Sequence, residues 1–294
     1  MELIDFTDCR ITNKTYGGAN GSKLSGIYNN EMYMIKLPPV AKAFSFMHYS
    51  NSCYSEYLGC HIFNHLEVTA QETLLGIYRK NDKTYNVVAC KDFATGDLEF
   101  QDFASLKNQI IDSGQHGYGT ELESILFTIK EQNLVDGDKL VSFFWDMFII
   151  DALIGNFDRH NGNWGFLRNR KTDEVSIAPV FDCGSSLNSQ ASEEDMKTIM
   201  SDNNQLKIRV YDRPVSAIQV KNKKIRYFDF LKETENRDCI KSLKKITEKI
   251  DFGIIDGMIE SVPFFSDTMK EFYRFILRKR KEMILENALG KKTC

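Results

Sequence analysis

A long apolar segment near the middle of the chain, LVSFFWDMFIIDALIG (residues 140–155), most constrains how the protein folds. Apolar side chains surround its whole circumference when it is drawn as a helix, so such a helix must be buried on every side. The segment contains Asp146 and Asp151 and is shorter than the ~20 residues that a membrane-spanning helix needs. The sequence therefore predicts a buried helix at the centre of a packed lobe.

The amino-terminal part of the chain shows patterns typical of strands. EMYMIKLP (31–38) and KTYNVVACKDF (83–93) are rich in β-branched and aromatic residues and are bounded by Asn, Asp and Pro, which predicts two strands. ETLLGIY (72–78) is predicted to pair with the second of them. Between them, SNSCYSEYLGCHIFNHL (50–66) has apolar residues at helical spacing. These patterns predict a small sheet with one packed helix.

The rest of the chain is mostly helical in pattern. A helix is predicted to begin after Ser192, whose hydroxyl precedes three acidic residues, and another to span residues 266–289. We therefore predict an α+β fold with two lobes. The small β-rich amino-terminal lobe covers residues 1–93, and the larger helical carboxy-terminal lobe covers residues 94–294.

Charge and cysteine content exclude several classes of protein. A formal net charge of −3 gives no sign of a surface for nucleic acid or membrane. The seven cysteines are odd in number and include no C-x-x-C pair, which argues against a zinc site and a disulfide framework. We therefore expect reduced thiols and a cytoplasmic location. The start, MELIDFTDCR, lacks the basic and apolar regions of a secretory signal.

A polar stretch, GNFDRHNGNWGF (155–166), directly follows the apolar segment. It places Asp158 and Asn163 five positions apart. A carboxylate that accepts a proton from an attacking hydroxyl, and an amide oxygen that ligates a metal, form the layout of a phosphotransfer catalytic loop. The pattern D-x-x-x-x-N is common, so it indicates this chemistry only together with other elements.

A second motif, SIAPVFDCGSSL (176–187), is an apolar, strand-like run that ends in Asp182, Cys183 and Gly184. The glycine lets the backbone turn sharply, which leaves the carboxylate projecting from the end of the strand. Magnesium prefers one or two carboxylates together with substrate phosphates, so Asp182 is a candidate for the second magnesium ligand. The two motifs together are much more specific than either one.

A third element, YGGANGSKLSG (16–26), comes before the strand that holds Lys36. Its backbone N–H groups, including those of Gly18, Gly21 and Ser22, can approach phosphate oxygens closely. The spacing fits neither a P-loop nor a dinucleotide fingerprint. Lys36 is a candidate clamp for the α- and β-phosphates, and Glu56 on the following helix is a candidate partner that fixes the position of Lys36.

Each element also has an ordinary structural interpretation. A Gly/Asn/Ser stretch is commonly a hairpin turn, a lone lysine commonly an edge-strand charge, and Glu56 commonly a solvated helix residue. Asp158, His160 and Asp182 can also be read as the metal ligands of a hydrolase, and His160 as a hydrogen-bonded residue that holds its loop. The chain order of glycine loop, lysine, glutamate, Asp-x4-Asn and Asp-x-Gly favours a kinase.

The two motifs resemble those of a known family. GNFDRHNGNWGF and IAPVFDCGSSL are similar to the N-x-D-R-H-x-x-N and A-P-x-F-D-x-G-S-S-L pair of the HipA-like serine/threonine kinases. The glycine loop and Lys36 are similar as well, and the resemblance covers about residues 15–190. The compact length resembles the proinflammatory, cell-translocating type of this family more than the HipA toxins. The family implies a two-lobed fold related to protein kinases and phosphoinositide kinases.

The resemblance also implies roles for individual residues. Asp158 becomes the catalytic base, Asn163 and Asp182 the magnesium ligands, and Lys36 the phosphate clamp for ATP. The nucleotide-binding positions that the motifs and the resemblance predict are Gly18, Gly21, Ser22, Lys36, Glu56, His160 and, around the adenine, Ala89, Cys90, Lys91 and Phe93.

The resemblance further implies a substrate protein with Ser or Thr and autophosphorylation at Ser22 or Ser25. The sequence shows no sign of an antitoxin partner. Entry into host cells, by a route without a visible signal peptide, is a hypothesis that follows from the resemblance. The basic run RKRK (278–281) is then a nuclear-localisation patch or, as we expect, the solvated face of the last helix.

Three alternatives stay open from the sequence. A small-molecule or lipid kinase shares the same base and metal chemistry, although such enzymes typically have a histidine where Phe157 stands. A nucleotide-binding interaction module without transfer activity is the alternative outside the enzymes. Arg159 can support either its own loop or a bound phosphate.

Overall fold

A six-stranded mixed sheet forms the amino-terminal part of the molecule. The computed structural model describes residues 4–16, 22–38, 51–111 and 114–292. The strands of this sheet are β1 (Ile4–Asp5), β2 (Arg10–Thr12), β3 (Lys23–Tyr28), β4 (Glu31–Lys36), β5 (Thr73–Lys80) and β6 (Lys83–Lys91). Their order is β1-β5-β6-β4-β3-β2, and only the β1–β5 pair is parallel.

The strand and helix predictions for this part are confirmed. β4 and β6 lie where the β-branched and aromatic residues predicted strands, and β5 pairs with β6 along its whole length. α1 (Ser52–His65) covers one face of the sheet, where its contacts with β5 and β6 are made. Ile35 and Ala89 face each other across β4 and β6 and are completely buried, in a small apolar core of the sheet.

Helices dominate the rest of the chain. They are α2 (Phe103–Ile111), α3 (Leu122–Glu131), α4 (Gly137–Ile154), α5 (Glu193–Ser201), α6 (Asn203–Lys207), α7 (Tyr227–Glu233), α8 (Arg237–Lys249), α9 (Phe252–Glu260), α10 (Asp267–Arg280) and α11 (Asn287–Gly290), with π-helical segments at Ile208–Asp212 and Lys281–Glu286. The predicted cap at Ser192 is confirmed, because its hydroxyl accepts from the backbone N–H of Asp195. The predicted α+β class is confirmed.

α4 is the buried central helix that its apolar sequence predicts. Asp136 caps its start by accepting a hydrogen bond from the backbone N–H of Lys139. Gly155 ends it in the left-handed region (φ 67°), a conformation that glycine adopts without steric cost. Among the described residues, no helix combines the length and the hydropathy that crossing a membrane requires.

Two small sheets separate the helices, and neither was predicted. β7 (Leu98–Asp102), β8 (Gly165–Asn169) and β9 (Val175–Ile177) form an antiparallel sheet, and β10 (Gln219–Val220) pairs with β11 (Lys223–Lys224) as a hairpin. The apolar run at 176–187 was expected to be strand-like. The strand ends at Ile177, and Val180 then forms an isolated parallel bridge with Ala70, outside this sheet.

The basic run at 278–281 differs from the expected solvated face. Arg280 is buried, and its Nε donates to the backbone carbonyl of Ala152 at the end of α4 (2.9 Å). Arg278 pairs with Asp256, and its guanidinium lies over the ring of Phe252. A buried guanidinium beside a helix C-terminus is stabilised by the negative end of the helix dipole. The interpretation as a solvated face is therefore wrong for Arg280.

The described cysteines agree with the expectation of reduced thiols. Cys9, Cys53, Cys60, Cys90, Cys183 and Cys239 are all free. The proposed boundary between the lobes at residues 93 and 94 falls between the end of β6 and the start of β7, which belong to different sheets, and it stays a prediction.

Candidate active site

A cleft of about 630 Å³ separates the six-stranded sheet from the helical part. Residues of β3, β4 and α1 line one side of it, and the loop after α4 and the segment after β9 line the other. Seven of the predicted site residues lie on its surface: Lys36, Glu56, Phe93, Asp158, His160, Asn163 and Asp182. The fold thus brings together three motifs that are far apart in the sequence.

Lys36 bridges two carboxylates at the top of the cleft. Its Nζ lies 3.0 Å from Glu56 Oε2 and 2.9 Å from Asp182 Oδ1. The other oxygen of Glu56, Oε1, accepts the backbone N–H of Asp182 at 3.0 Å. Burial lowers the pKa of Lys36, but attraction to Asp182 and Glu56 outweighs it and raises the pKa well above its usual value. Lys36 therefore carries a fixed positive charge.

The ionisation of Asp182 depends on the same contact. The charge of Lys36 lowers the pKa of Asp182 to about 2, against the opposing effect of burial. The Asp182 side chain nevertheless stays 42% exposed. An ionised carboxylate that faces the cleft is available to a cation.

α1 holds Glu56 in place because its first turns are bonded to the segment after Asp182. The backbone N–H of Asn51 donates to the carbonyl of Ser189 (3.0 Å), and the Ser55 hydroxyl donates to the carbonyl of Ser186 (2.9 Å). Both Asn51 and Ser55 are buried. The Lys36–Glu56 pair is therefore positioned by hydrogen bonds that reach across the cleft.

The Asp-Cys-Gly motif packs tightly against α1. Asp182 has a left-handed backbone (φ 57°), which aspartate tolerates better than most residues. A Cβ at Gly184 would lie 3.1 Å from Glu56 Oε2, and a Cβ at Gly59 would lie 2.6 Å from the Cβ of Cys183. Gly59 is therefore required by close approach, and a side chain at Gly184 would make Glu56 shift.

The loop after α4 positions Asp158 by its own hydrogen bonds. The backbone N–H of Asp158 donates to Asn156 Oδ1 (3.0 Å), and Asn163 Nδ2 donates to the backbone carbonyl of Asp158 (2.9 Å). These bonds fix both ends of the Asp-x4-Asn spacing. Burial raises the pKa of the Asp158 carboxyl, and the neighbouring His160 opposes this effect. A raised pKa is typical of carboxylates that act as bases in catalysis.

Arg159 supports the loop, which answers a question that the sequence left open. It is buried, and its Nε lies 3.0 Å from Asp151 Oδ2. Its Nη1 donates to the carbonyls of Asn163 (3.0 Å) and Phe181, and its Nη2 donates to the Cys183 sulfur (3.4 Å). Burial lowers the pKa of Arg159, but Asp151 outweighs it and raises that pKa. One side chain thus joins α4, the loop and the Asp182 segment.

Six predicted nucleotide positions lie away from the cleft surface or outside the described residues. Ala89, Cys90 and Lys91 belong to β6, where their residues pair with β4 and, for Ala89 and Cys90, with β5. None of these three lines the cleft, and the carbonyl of Lys91 accepts a bond from Gln71. The next residues, 92–94, line the cleft instead. Gly18 and Gly21 lie outside the described residues, and Ser22 is exposed just before β3.

The sequence interpretation missed Lys23. Its Cα is paired with that of Lys36 across β3 and β4, and it also lines the cleft. Burial lowers the pKa of Lys23, and the charge of Lys36 lowers it further. Pairing β3 and β4 through the short loop at Asn29 and Asn30 would have predicted this neighbour. Two adjacent lysines thus lie on this wall of the cleft, close to the carboxylates of Glu56 and Asp182 that pair with Lys36.

A contact between the chain before the glycine loop and the connection after β6 was also missed. Lys14 Nζ contacts the Asp92 carboxylate and donates to the carbonyl of Ala94 (2.9 Å). The hydroxyl of Tyr16 donates to the same Asp92 carboxylate (2.8 Å). All four residues line the cleft. These bonds hold the segment just before the glycine-rich stretch against the connection after β6.

A six-stranded sheet and a helical part, with Lys36, Glu56 and Asp182 brought together in the cleft between them, fit the kinase-like class of folds, and comparisons with known proteins agree. Residues 17–250 match the HipA-like C-terminal domain family. The chain is 47% identical over 290 residues to serine/threonine-protein kinase CtkA of Helicobacter pylori (strain J99), which covers 98% of this chain and 88% of that protein.

Solved structures give the same result. The crystal structure of a Helicobacter pylori proinflammatory kinase CtkA matches with a TM-score of 0.92 at 46% identity, covering 99% of this chain and 98% of that chain. A chain of the HipA, HipB and operator DNA complex from Shewanella oneidensis MR-1 matches with a TM-score of 0.58 at 12% identity, covering 98% and 75%. At that identity the second match shows the fold alone.

The chain therefore belongs to the HipA-like family, and it is a kinase similar to CtkA. The resemblance of its two motifs to that family is confirmed, as is the kinase-like fold that the resemblance implied.

Proposed function

We propose that this kinase transfers the γ-phosphate of ATP, in a Mg²⁺-dependent reaction, to serine or threonine hydroxyls of a substrate protein. One observation supports this most: Lys36 lies between Glu56 and Asp182 in a cleft that Asp158 also lines. Phosphoryl transfer needs fixed positive charge for the phosphates and a base for the acceptor hydroxyl. The name of the similar protein CtkA supports the serine/threonine specificity.

In this proposal Lys36 and its neighbour Lys23 bind the phosphates. Glu56 keeps Lys36 from turning away, because the pair is nearly excluded from water. The adenine is proposed to lie towards the connection at residues 92–94, beside Phe93, whose ring packs against Phe181 with centroids 5.6 Å apart. Cys90 and Lys91 contribute to this end of the cleft only through β6, which supports the connection.

The residues present fit a magnesium ion bound together with phosphates. Among the described residues, no cluster of three or more His, Cys, Asp or Glu side chains could hold a metal alone. Asp182 and Asn163 offer hard oxygen ligands on the cleft surface, and magnesium commonly takes its other ligands from phosphates and water. When bound, the ion neutralises charge on the phosphate oxygens.

Asp158 is proposed to orient the acceptor hydroxyl and take its proton. The loop bonds of Asn156 and Asn163 hold its backbone, and Arg159 holds the loop against α4. The raised pKa of Asp158 brings its basicity closer to that of an effective proton acceptor near neutral pH. His160 lines the cleft beside it, and its Nδ1 accepts the backbone N–H of Gly162 (3.0 Å).

Autophosphorylation is proposed at Ser22. Ser22 is exposed next to Lys23, at the end of the glycine-rich stretch. Ser25, the other predicted site, is 3% exposed, and its Oγ accepts a hydrogen bond from Thr12 (2.6 Å). Phosphopeptide mapping tests the choice: label at Ser25 and not at Ser22 would contradict it. Entry into host cells stays a prediction that needs a secretion assay.

The experiment that tests the function measures label transfer from γ-labelled ATP to the protein itself and to a generic protein substrate. Asp158→Asn and Asp182→Asn are compared with Asp173→Asn as the control. Asp173 is exposed and has a similar left-handed backbone (φ 59°, against 57° for Asp182), so it controls for the substitution at Asp182.

We expect both cleft variants to lose transfer by about 10²- to 10⁴-fold, and the control to keep it. Asp158→Asn should still bind ATP, because its loss affects only the acceptor side. ATP binding without transfer in the wild type would favour a nucleotide-binding module. Transfer to small hydroxyl compounds but not to protein would favour a small-molecule or lipid kinase.

A further inference from the structure

A short stretch of the helical part is strongly basic, although the chain as a whole is acidic. Residues 207–226 contain seven lysines and arginines and a single aspartate, whereas the formal net charge of the chain is −3. The tip of this stretch is the β10–β11 hairpin, which carries Lys221, Lys223 and Lys224. All three are exposed, and none of them forms an ion pair with any residue that the structure describes.

The hairpin is fixed to the loop that carries Asp158 from one side. Tyr227, three residues after β11, is buried, and its hydroxyl donates to the backbone carbonyl of Asn156 (2.5 Å). Asn156 in turn accepts the backbone N–H of Asp158. Only two hydrogen bonds thus separate the base of the hairpin from the backbone of the proposed catalytic residue.

The hairpin is also fixed from the other side. The Glu121 carboxylate accepts the backbone N–H groups of Lys221 (2.6 Å) and Asn222 (3.0 Å), which form the left-handed turn of the hairpin. Thr120, next to Glu121, donates its hydroxyl to the carbonyl of Ala217 (2.7 Å). The hairpin therefore keeps its position without help from its own lysine side chains.

The same anchor leads back to the loop. The carbonyl of Gly119, next to Thr120, accepts a bond from the Asn161 side chain (2.9 Å), three residues after Asp158. Of these lysines, Lys224 lies near enough to Asp158 for its positive charge to affect the Asp158 carboxyl. Burial raises the pKa of Asp158, and Lys224, like His160, opposes that rise. A rigid, positively charged hairpin thus stands beside the place where the acceptor hydroxyl is expected.

We propose that the β10–β11 hairpin binds acidic residues that flank the phosphorylated serine or threonine, so that the enzyme selects acidic protein segments as substrates. The proposal rests on the proposed function. Lysines held on a fixed backbone and free of ion pairs attract carboxylates without first breaking a bond within the protein. Because the rest of the chain carries a net negative charge, this edge of the cleft attracts an acidic segment more strongly than the surface as a whole does.

An acidic polypeptide fits this surface better than a nucleic acid does. The hairpin, QVKNKK at residues 219–224, has no aromatic side chain on which a base could stack. The acidic remainder of the chain also disfavours a long polyanion, whose backbone needs an extended basic surface. Acidic residues on either side of one hydroxyl need only a few positive charges close to the base.

The experiment compares two synthetic peptides of equal length, each with one serine. In one peptide glutamates flank the serine, and in the other glutamines do. The kcat/KM for phosphate transfer is measured for both peptides with the wild type and with Lys221→Gln/Lys223→Gln/Lys224→Gln. The matched control is Lys241→Gln/Lys244→Gln on α8, two exposed lysines that do not line the cleft. Thermal melting checks that every variant is folded.

We expect the wild type to favour the acidic peptide by about tenfold or more at low salt, as a few exposed charges can. That ratio should fall as salt is added. The hairpin variant should bring the ratio close to one, and the α8 control should keep it. The ratio is the readout because it does not depend on how fast each variant turns over ATP.

Three results would overturn the proposal. Equal kcat/KM for both peptides in the wild type would remove it and leave the kinase function standing. Label on the protein itself but on neither peptide would have the same two consequences. A hairpin variant that loses binding to single-stranded RNA, while the peptides are not distinguished, would assign the surface to nucleic acid. No label anywhere would instead count against the proposed function.

Discussion

Arg159 and Asp151 form an ion pair beneath the cleft, with Arg159 Nε 3.0 Å from Asp151 Oδ2 and both side chains at most 4% exposed. Asp151 belongs to the last turn of α4, and Arg159 belongs to the loop that follows it. The pair therefore links the end of α4 to the loop that follows. Both side chains are buried, and an isolated buried charge is energetically very costly.

Replacing Arg159 by Ala should destabilise the protein strongly, because the Asp151 carboxylate stays buried without its partner. We expect a loss of about 3–5 kcal/mol in the free energy of unfolding, measured by urea denaturation. Arg168→Ala is the control, since its pair with Asp173 is more than half exposed and should cost less than about 1 kcal/mol. Equal losses in the two variants would show that Arg159 has no special structural role.

Glu56→Gln should weaken phosphate binding by Lys36. Glutamine keeps an oxygen that accepts the Asp182 N–H but loses the ion pair at 3.0 Å. A hydrogen bond to a charged group contributes about 1.5–3 kcal/mol, so kcat/KM for ATP should fall about ten- to a hundredfold. Glu72→Gln, whose partner Lys91 lies on the surface, should leave kcat/KM unchanged. An unchanged value in Glu56→Gln would mean that Lys36 does not need its partner.

Gly59→Ala should disturb the contact between α1 and the Asp182 segment. The new Cβ would lie 2.6 Å from the Cβ of Cys183, and overpacking of this kind costs about 1–3 kcal/mol. The melting temperature and the rate of label transfer should both decrease. Gly257→Ala in α9 is the matched control, since nothing lies within 4 Å of its Cβ position. Gly257→Ala should raise the free energy of unfolding by about 0.5–1 kcal/mol. A decrease in this control would mean that the cost at Gly59 does not come from crowding against Cys183.

The pH dependence of transfer should show the raised pKa of Asp158. A protonated carboxyl cannot accept a proton, so kcat/KM falls as the pH drops through this pKa, which lies above the ordinary 3.8. Lys224→Gln removes a charge that lowers the pKa, and it should move the acidic limb to higher pH. Lys241→Gln should not move it. An acidic limb that shifts downward in Lys224→Gln would mean that Asp158 is not the titrating base.

Local patterns were enough to predict the elements that frame the cleft. The β-branched and aromatic residues of β4 and β6, the helical spacing in α1 and the nearly uniform apolar character of α4 each reflect burial against the rest of the fold, and burial leaves a signal in the sequence. The motifs around Asp158 and Asp182 likewise each indicate phosphoryl-transfer chemistry within a few residues. The structure places Lys36, Glu56, Asp158, Asn163 and Asp182 along one cleft.

Other features depend on contacts between distant parts of the chain and leave no such signal. Arg159 looks the same in the sequence whether it binds a phosphate or Asp151, and only the fold decides. Arg280 stands in a run of basic residues, yet it is buried against the end of α4. β10 and β11 have two residues each, too short for alternation to be visible, and their position depends on Glu121, about a hundred residues earlier.

The hydrogen bonds of Asn51 and Ser55 to the segment after Asp182 have a consequence for how the protein is controlled. α1 cannot swing outward unless the bonds to Ser189 and Ser186 break, and these bonds are buried. The Lys36–Glu56 pair is thus completed when the chain folds, and no later activating event is needed to form it. We therefore expect control of this protein to act on parts of the molecule other than α1, such as the exposed Ser22 next to Lys23, or on access to substrates.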